Sequence, residues 1–165
     1  MRIDLITKEY PPHIYGGAGV HVAELVRVLR NSIEVQVRCF GNDRDEKDTK
    51  SYVHPKNFDA SNAAIQTMAT DLSMVDDIAG SSLVHSHTWY ANFAGHVASQ
   101  LHGIPHLITA HSLEPLRPWK AEQLAGGYRV SSWVERTAYE AATGIVAVSH
   151  GMRAAIRSEE HTSEL

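Results

Sequence analysis

The sequence predicts an α/β fold in which a mostly parallel sheet is covered on both faces by helices. Three observations carry that expectation. Short apolar runs with the length of buried strands alternate about five times with stretches that keep helical spacing. Three glycines, Gly16, Gly17 and Gly19, stand between the first apolar run and the first amphipathic stretch. No internal repeat or low-complexity linker interrupts the alternation, and alternation of this kind places parallel strands side by side with a crossover helix between them.

Each element has its own signal. Ile3, Leu5 and Ile6 form the first strand, and Val22, Leu25, Val26 and Leu29 recur at i, i+3, i+4 and i+7, the period of a helix with one buried face. Ile33, Val35, Val37 and Cys39 alternate with Glu34, Gln36 and Arg38, which predicts a strand with one wetter face near a sheet edge. Residues 41 to 58 are polar and aperiodic and read as a surface excursion. An Ala- and Met-rich helix is expected from about Ala60 to Ile78, followed by a short strand at Leu83-Val84-His85. Phe93, Val97 and Leu101 keep helical spacing; Gly103 suits a helix C-cap and Pro105 marks the restart before the strand His106-Leu107-Ile108-Thr109. Val130, Val134, Ala138 and Ala141 mark a further helix, Ile145 to Val148 the last strand, and Met152, Ala155 and Ile156 a final helix.

The totals bound the function. With 165 residues and 43% hydrophobic content, the chain can bury one core and is expected to be a single globular domain. Fifteen basic against 19 acidic side chains, a net charge of -4, give no electrostatic reason to expect nucleic acid or an anionic membrane. Cys39 is the only cysteine, so no internal disulfide is expected. Asp4 interrupts the first apolar run and no long hydrophobic stretch follows, so neither a signal peptide nor a membrane span is expected, and a cytoplasmic location follows.

In open parallel sheets, ligands sit outside the carboxyl ends of the strands. Here the first strand runs into the glycine turn, the third into His85-Ser86-His87-Thr88-Trp89-Tyr90, the fourth into Ala110-His111-Ser112 and the fifth into Ser149-His150. Polar and aromatic groups therefore converge on one edge. Glycines opening a helix let a ligand approach the backbone, and the unpaired N–H groups of the first turn favour an anion by about 0.3–1 kcal/mol from the dipole alone. The dinucleotide fingerprint G-x-G-x-x-G/A fits Gly17 and Gly19, but its third position falls on Val22 and the preceding turn is too long. His85 and His87, at i and i+2, would share a strand face as zinc ligands do, yet no carboxylate or cysteine lies close by in sequence. No metal is expected, and His85 reads as a packed or hydrogen-bonded core residue. His111 reads equally as a solvated loop histidine or a site residue. Arg129 is a solvated helix residue or, if it faces the crevice, a phosphate clamp. Trp119 and Trp133 read as packing, whereas Trp89 offers a face for stacking on a sugar.

Four blocks in order resemble the N-terminal domain of a GT-B glycosyltransferase. They are Thr7 to Pro12 leading into Tyr15-Gly16-Gly17-Ala18-Gly19-Val20-His21; His85 to Tyr90; Thr109-Ala110-His111-Ser112-Leu113-Glu114-Pro115; and Tyr128 to Glu135. The pattern is most similar to the glycosyltransferase family 4 type represented by the actinobacterial glycogen synthases, also described as α-maltose-1-phosphate synthases. The resemblance extends to about Arg157. It implies a Rossmann-like parallel sheet, the N-terminal half of a GT-B fold, and a retaining transferase that moves glucose from ADP-glucose onto glucose 1-phosphate or an α-1,4-glucan end. It implies that Gly16, Gly17 and Gly19 approach the donor diphosphate through backbone N–H groups, and that His111 sits beside the transferred glucose as the catalytic residue. Thr88, Ser112 and Arg129 match positions that hold a phosphorylated acceptor in related transferases, and His87, Trp89 and Tyr90 would line the acceptor side. No metal or cofactor beyond the nucleotide sugar is implied.

The resemblance also sets an expected domain organisation. Residues 1–156 correspond to the N-terminal domain; the C-terminal domain, with its paired glutamates, is absent. Residues 157–165, Arg157 to Leu165, look like the conceptual translation of a sequencing adapter and are expected to be a non-native tail. Two other functions compete with this one. One is a nicotinamide-dependent oxidoreductase domain with Asp43 as ribose ligand, opposed by the missing third glycine. The other is a fragment that binds sugar or phosphate without turnover.

Overall fold

The computed structural model describes residues 1–116 and 126–162, so Trp119 lies outside the described residues. The chain runs β1 (Arg2–Thr7), α1 (Gly17–Leu29), β2 (Glu34–Phe40), β3 (Thr49–Tyr52), α2 (Ala63–Val75), β4 (Leu83–His87), α3 (Trp89–His102), β5 (His106–Ala110), α4 (Gly126–Ala141), β6 (Gly144–Ala147) and α5 (His150–Thr162). The six strands form one sheet in the order β3-β2-β1-β4-β5-β6, and every neighbouring pair is parallel. This is the doubly wound order, whose direction of winding reverses between β1 and β4 and opens a crevice at their carboxyl ends. Thr7, the last residue of β1, lies opposite His87, the last of β4. α5 continues to Thr162.

The core follows from the period-two alternation of β1. Leu5 packs with Val22 and Val26 of α1 and with Val35, Val37 and Cys39 of β2. The next residue, Ile6, faces the other way and joins Met74, Val75 and Ile78 with Val84 and Ala91, Ala94 and Ala98 of α3. Burying each large aliphatic side chain contributes roughly 1.5–3 kcal/mol, so these two layers fix the register of the central strands. The alanines let α3 lie close to the sheet. At Gly95 the approach is closer still, because a Cβ there would stand 2.3 Å from His106 Nε2.

Local signals place the helix ends. Asn62 caps α2 by accepting the Ala64 N–H at 2.9 Å. α3 ends on Gly103 in the left-handed region, φ 63°. α1 starts at Gly17 after an extended Gly16.

Three expectations need correction. The excursion 41–58 contains strand β3, whose residues Thr49-Lys50-Ser51-Tyr52 carry little apolar pattern. Backbone pairing to β2 makes this strand, and Arg30 fastens its start by donating to the Asp48 carbonyl at 3.1 Å and to Thr49 Oγ1 at 3.3 Å. Short polar strands are typical of edges. β3 is therefore the edge and β2 lies inside it. Nor is the second face of β2 uniformly wet. Arg38 is buried, donating from Nε to Asp4 Oδ1 at 2.6 Å and from Nη1 to Tyr52 Oη at 2.7 Å. Asp4 is thus in the first strand as the counter-charge of Arg38, and removing one partner of such a buried pair costs about 3–5 kcal/mol. Trp133 also departs from a buried packing role: it is 52% exposed, its ring tilted toward Phe93 at a separation of 6.4 Å.

Candidate functional site

The crevice at the carboxyl ends of β1 and β4 begins with the glycine turn. Glu9, two residues beyond β1 and buried, turns its carboxylate under the loop; Oε2 accepts the N–H groups of Gly16 at 2.8 Å and Tyr15 at 3.1 Å. The three glycines have separate jobs. A Cβ at Gly19 would stand 2.9 Å from Glu9 Cβ and Oε2 and 3.0 Å from Ile14 Cγ2, so that position must be bare for the loop to close on Glu9. Gly16 has its N–H engaged by the carboxylate. Gly17 is exposed, with nothing within 4 Å of a Cβ, and opens α1 without a side-chain cap. The first-turn N–H groups at this end are the donors that α1 itself leaves unpaired.

Beside the turn, histidines from three elements meet. His21 comes from the first turns of α1, His87 from the end of β4 and His111 from the residue after β5. His87 Nδ1 and His111 Nε2 are hydrogen-bonded at 3.1 Å, and His21 stands edge-on to His111 at a ring separation of 5.0 Å. His85, one layer deeper, bonds Thr109 Oγ1 at 2.8 Å and is a buried, hydrogen-bonded core residue. Burial, reinforced by the neighbouring histidines, lowers His85 and His111 to about 4 and pushes His87 well below its ordinary value. Neutral imidazoles therefore line this edge at neutral pH, each able to donate from one nitrogen and accept at the other. His87 is fully buried. Its side chain reaches the crevice through His111 and does not line it directly.

The acceptor-side residues separate into two groups. Trp89 and Tyr90 stack at a ring separation of 4.4 Å, and Lys8 Nζ sits 3.7 Å above the Tyr90 ring. Together with Asn62, Thr67 and Gly127 they line a cleft of about 250 Å³ beside the carboxyl end of β4. Thr88, between β4 and α3, has a left-handed φ of 67°, and its buried Oγ1 has no hydrogen-bond partner. Ser112 is half-buried beyond β5, whereas Arg129 is exposed on α4 and outside the lining of the cleft. Asp43 is exposed beyond β2.

The model for Glycosyltransferase Family 4 matches residues 15–163, a span that includes the glycine turn and all the crevice histidines. The chain belongs to Glycosyltransferase Family 4. This family 4 chain is 58% identical over 155 residues to the α-maltose-1-phosphate synthase of Mycolicibacterium smegmatis, a match covering 93% of the chain and 39% of that relative. It thus spans about two fifths of the length of the relative. Among solved structures it is similar to the sucrose-phosphate synthase of Thermosynechococcus elongatus, with a TM-score of 0.65 and 18% identity over 95% of this chain and 44% of that one. It is also similar to HepE of Anabaena, solved with UDP, with a TM-score of 0.66 and 18% identity over 96% of this chain and 40% of that one. These likenesses place the family 4 sheet among GT-B folds.

Two residues of the family 4 crevice escaped the sequence reading. Glu9 carries no motif spacing that would distinguish it from a solvated loop carboxylate. His21 stands on an exposed face of α1, and only the crossover back to β4 brings it to His87 and His111. Among the described residues, no helix is long and apolar enough to cross a membrane.

Proposed function

We propose that this domain forms one half of a retaining glucosyltransferase site, which moves glucose from ADP-glucose onto glucose 1-phosphate or the end of an α-1,4-glucan in glycogen and maltose 1-phosphate synthesis. What carries the reading is the 58% identity to an α-maltose-1-phosphate synthase across the residues that build the crevice. The single buried cysteine, Cys39, accords with a cytoplasmic setting.

Transfer separates a diphosphate from a sugar that becomes cationic, so the groups that matter are those aimed at charge developing in the transition state. The opening turn of α1 supplies backbone N–H groups toward the leaving diphosphate, with Gly17 the most open position and Gly16 available as Glu9 yields its bond. His111 supplies a neutral imidazole beside the anomeric carbon. Neutrality suits that role, since an imidazolium there would repel the nascent cation. His87 positions the ring through the bond between their nitrogens. On the acceptor side, Tyr90, backed by the buried Trp89, is the aromatic group assigned to a sugar, and Thr88, Ser112 and Arg129 are assigned to an acceptor phosphate. No cofactor beyond the nucleotide sugar enters the scheme.

The test joins residues 1–156 to the C-terminal part of the Mycolicibacterium smegmatis relative and supplies ADP-glucose with glucose 1-phosphate. Release of ADP with a matching yield of a disaccharide phosphate is expected, whereas the 165-residue chain alone gives none. A folded chimera that binds ADP-glucose but transfers nothing to glucose 1-phosphate, or to an α-1,4-glucan supplied in its place, would count against the assignment.

A further inference from the structure

His21, His87 and His111 each present a ring nitrogen, and these three atoms lie within 4.8 Å of one another. Among the described residues, no other three histidine, cysteine or carboxylate side chains converge in this way. From this geometry we infer that the crevice is a three-histidine site for a borderline transition-metal dication of the Zn²⁺, Co²⁺ or Ni²⁺ class.

The distances fit the coordination. Zn–N bonds of about 2.0–2.1 Å in a tetrahedron set ligand nitrogens roughly 3.3–3.4 Å apart, and His87 Nδ1 already stands 3.1 Å from His111 Nε2. For a dication to enter, the proton shared by those two nitrogens moves to the other nitrogen of its own ring, His87 Nε2 or His111 Nδ1, which leaves both facing lone pairs free. His21 closes the third side with little movement, since its ring centroid lies 5.0 Å from that of His111 and 5.7 Å from that of His87. The rings differ in burial in a useful order: His87 is inaccessible, His111 half-buried and His21 exposed, so an ion entering from solvent meets His21 first. The neutral state favoured by burial leaves lone pairs ready for a metal. Three imidazoles leave the fourth tetrahedral position open. The Glu9 carboxylate, held by the Tyr15 and Gly16 N–H groups, acts on His111 from the glycine turn.

A bound ion would occupy the nitrogen that the transferase reading gives to the sugar, so the site is inhibitory; this consequence alone rests on the proposed function. Imidazole ligands suit Zn²⁺, Ni²⁺ and Cu²⁺ and not Mg²⁺ or Ca²⁺.

The 165-residue chain is titrated with Co²⁺, followed by visible absorption and then by displacement with Zn²⁺. The expected result is the intense d–d spectrum of a four-coordinate site at one equivalent, abolished by Zn²⁺ and untouched by Mg²⁺. His21→Ala, at an exposed position, keeps the fold and weakens Co²⁺ binding by at least ~10-fold, while His102→Gln, at the far end of α3 beside the Val75 carbonyl, leaves it unchanged. Absence of the spectrum in the folded chain overturns the inference, as does a spectrum that persists in His21→Ala. Either result leaves the transferase reading standing, because that reading is decided by product formation without added metal.

Discussion

Glu9 Oε2 accepts the Gly16 N–H at 2.8 Å, and the same carboxylate lies 2.9 Å from where a Cβ on Gly19 would stand. The glycine turn is thus folded around an internal anion. Glu9 holds the loop in the shape that presents the start of α1 to the crevice, and it occupies a backbone donor that the proposed diphosphate would claim.

This arrangement separates two glycine substitutions. Gly19→Ala forces the new methyl into the Glu9 side chain and Ile14, an overpacking expected to cost about 1–3 kcal/mol. Gly17→Ala meets open space and replaces a helical glycine, so stability is unchanged or rises by up to about 1 kcal/mol. Urea denaturation of the two variants checks the contrast. Equal losses would mean that the turn does not close on Glu9 as described.

Asp71 is another buried carboxyl, in α2 against α3. It is fully buried, and neither oxygen has a well-formed hydrogen bond. Burial pushes its carboxyl well up, offset in part by the backbone of Ala94. A carboxyl raised in the folded state binds more protons there than in the unfolded chain, so its contribution to stability falls as pH rises through the folded value. Asp71→Asn is therefore expected to raise the thermal midpoint at pH 8 and to bring no gain near pH 4. Thermal melts at the two pH values check this. A variant less stable than the parent at pH 8 would contradict it.

His106 sets an opposite dependence. Burial, aided by His96 and His85, lowers it from 6.5 to about 3, and its Nε2 is hydrogen-bonded to Ser86 at 2.7 Å. The unfolded chain then binds the extra proton between those values, so the stabilisation is complete above pH 6.5 and is lost as pH falls toward 3. The urea midpoint is expected to drop steadily over that window. His106→Gln, which cannot titrate, should flatten the slope relative to the parent, and an unchanged slope would remove His106 as the cause.

Much of this architecture was legible because period and punctuation agreed with tertiary context. Val35, Val37 and Cys39 alternate and are buried on one face of β2, and Gly103 ends α3 in the left-handed conformation the sequence suggests. β3 was hidden because backbone pairing to β2 and the Arg30 contacts hold it without an apolar pattern. β2 lies next to that edge, in keeping with its alternating pattern. At the site, His111 stands out by following an apolar strand, whereas His85 and His87 draw attention as a histidine pair only because they are neighbours in sequence. The fold instead turns His85 inward to Thr109 and joins His87 to two rings from distant segments. Such convergence depends on the crossover geometry and has no local signature.

The central claim is that the neutral His111 imidazole acts on the transferred glucose. It is tested most directly by His111→Ala in the chimeric transferase, measuring turnover of ADP-glucose at saturating acceptor alongside the thermal midpoint. Turnover is expected to fall by roughly 10²–10³, the scale of losing one preorganised transition-state contact, while the midpoint moves little because the ring is only half-buried. Unchanged turnover in a folded variant would contradict the account.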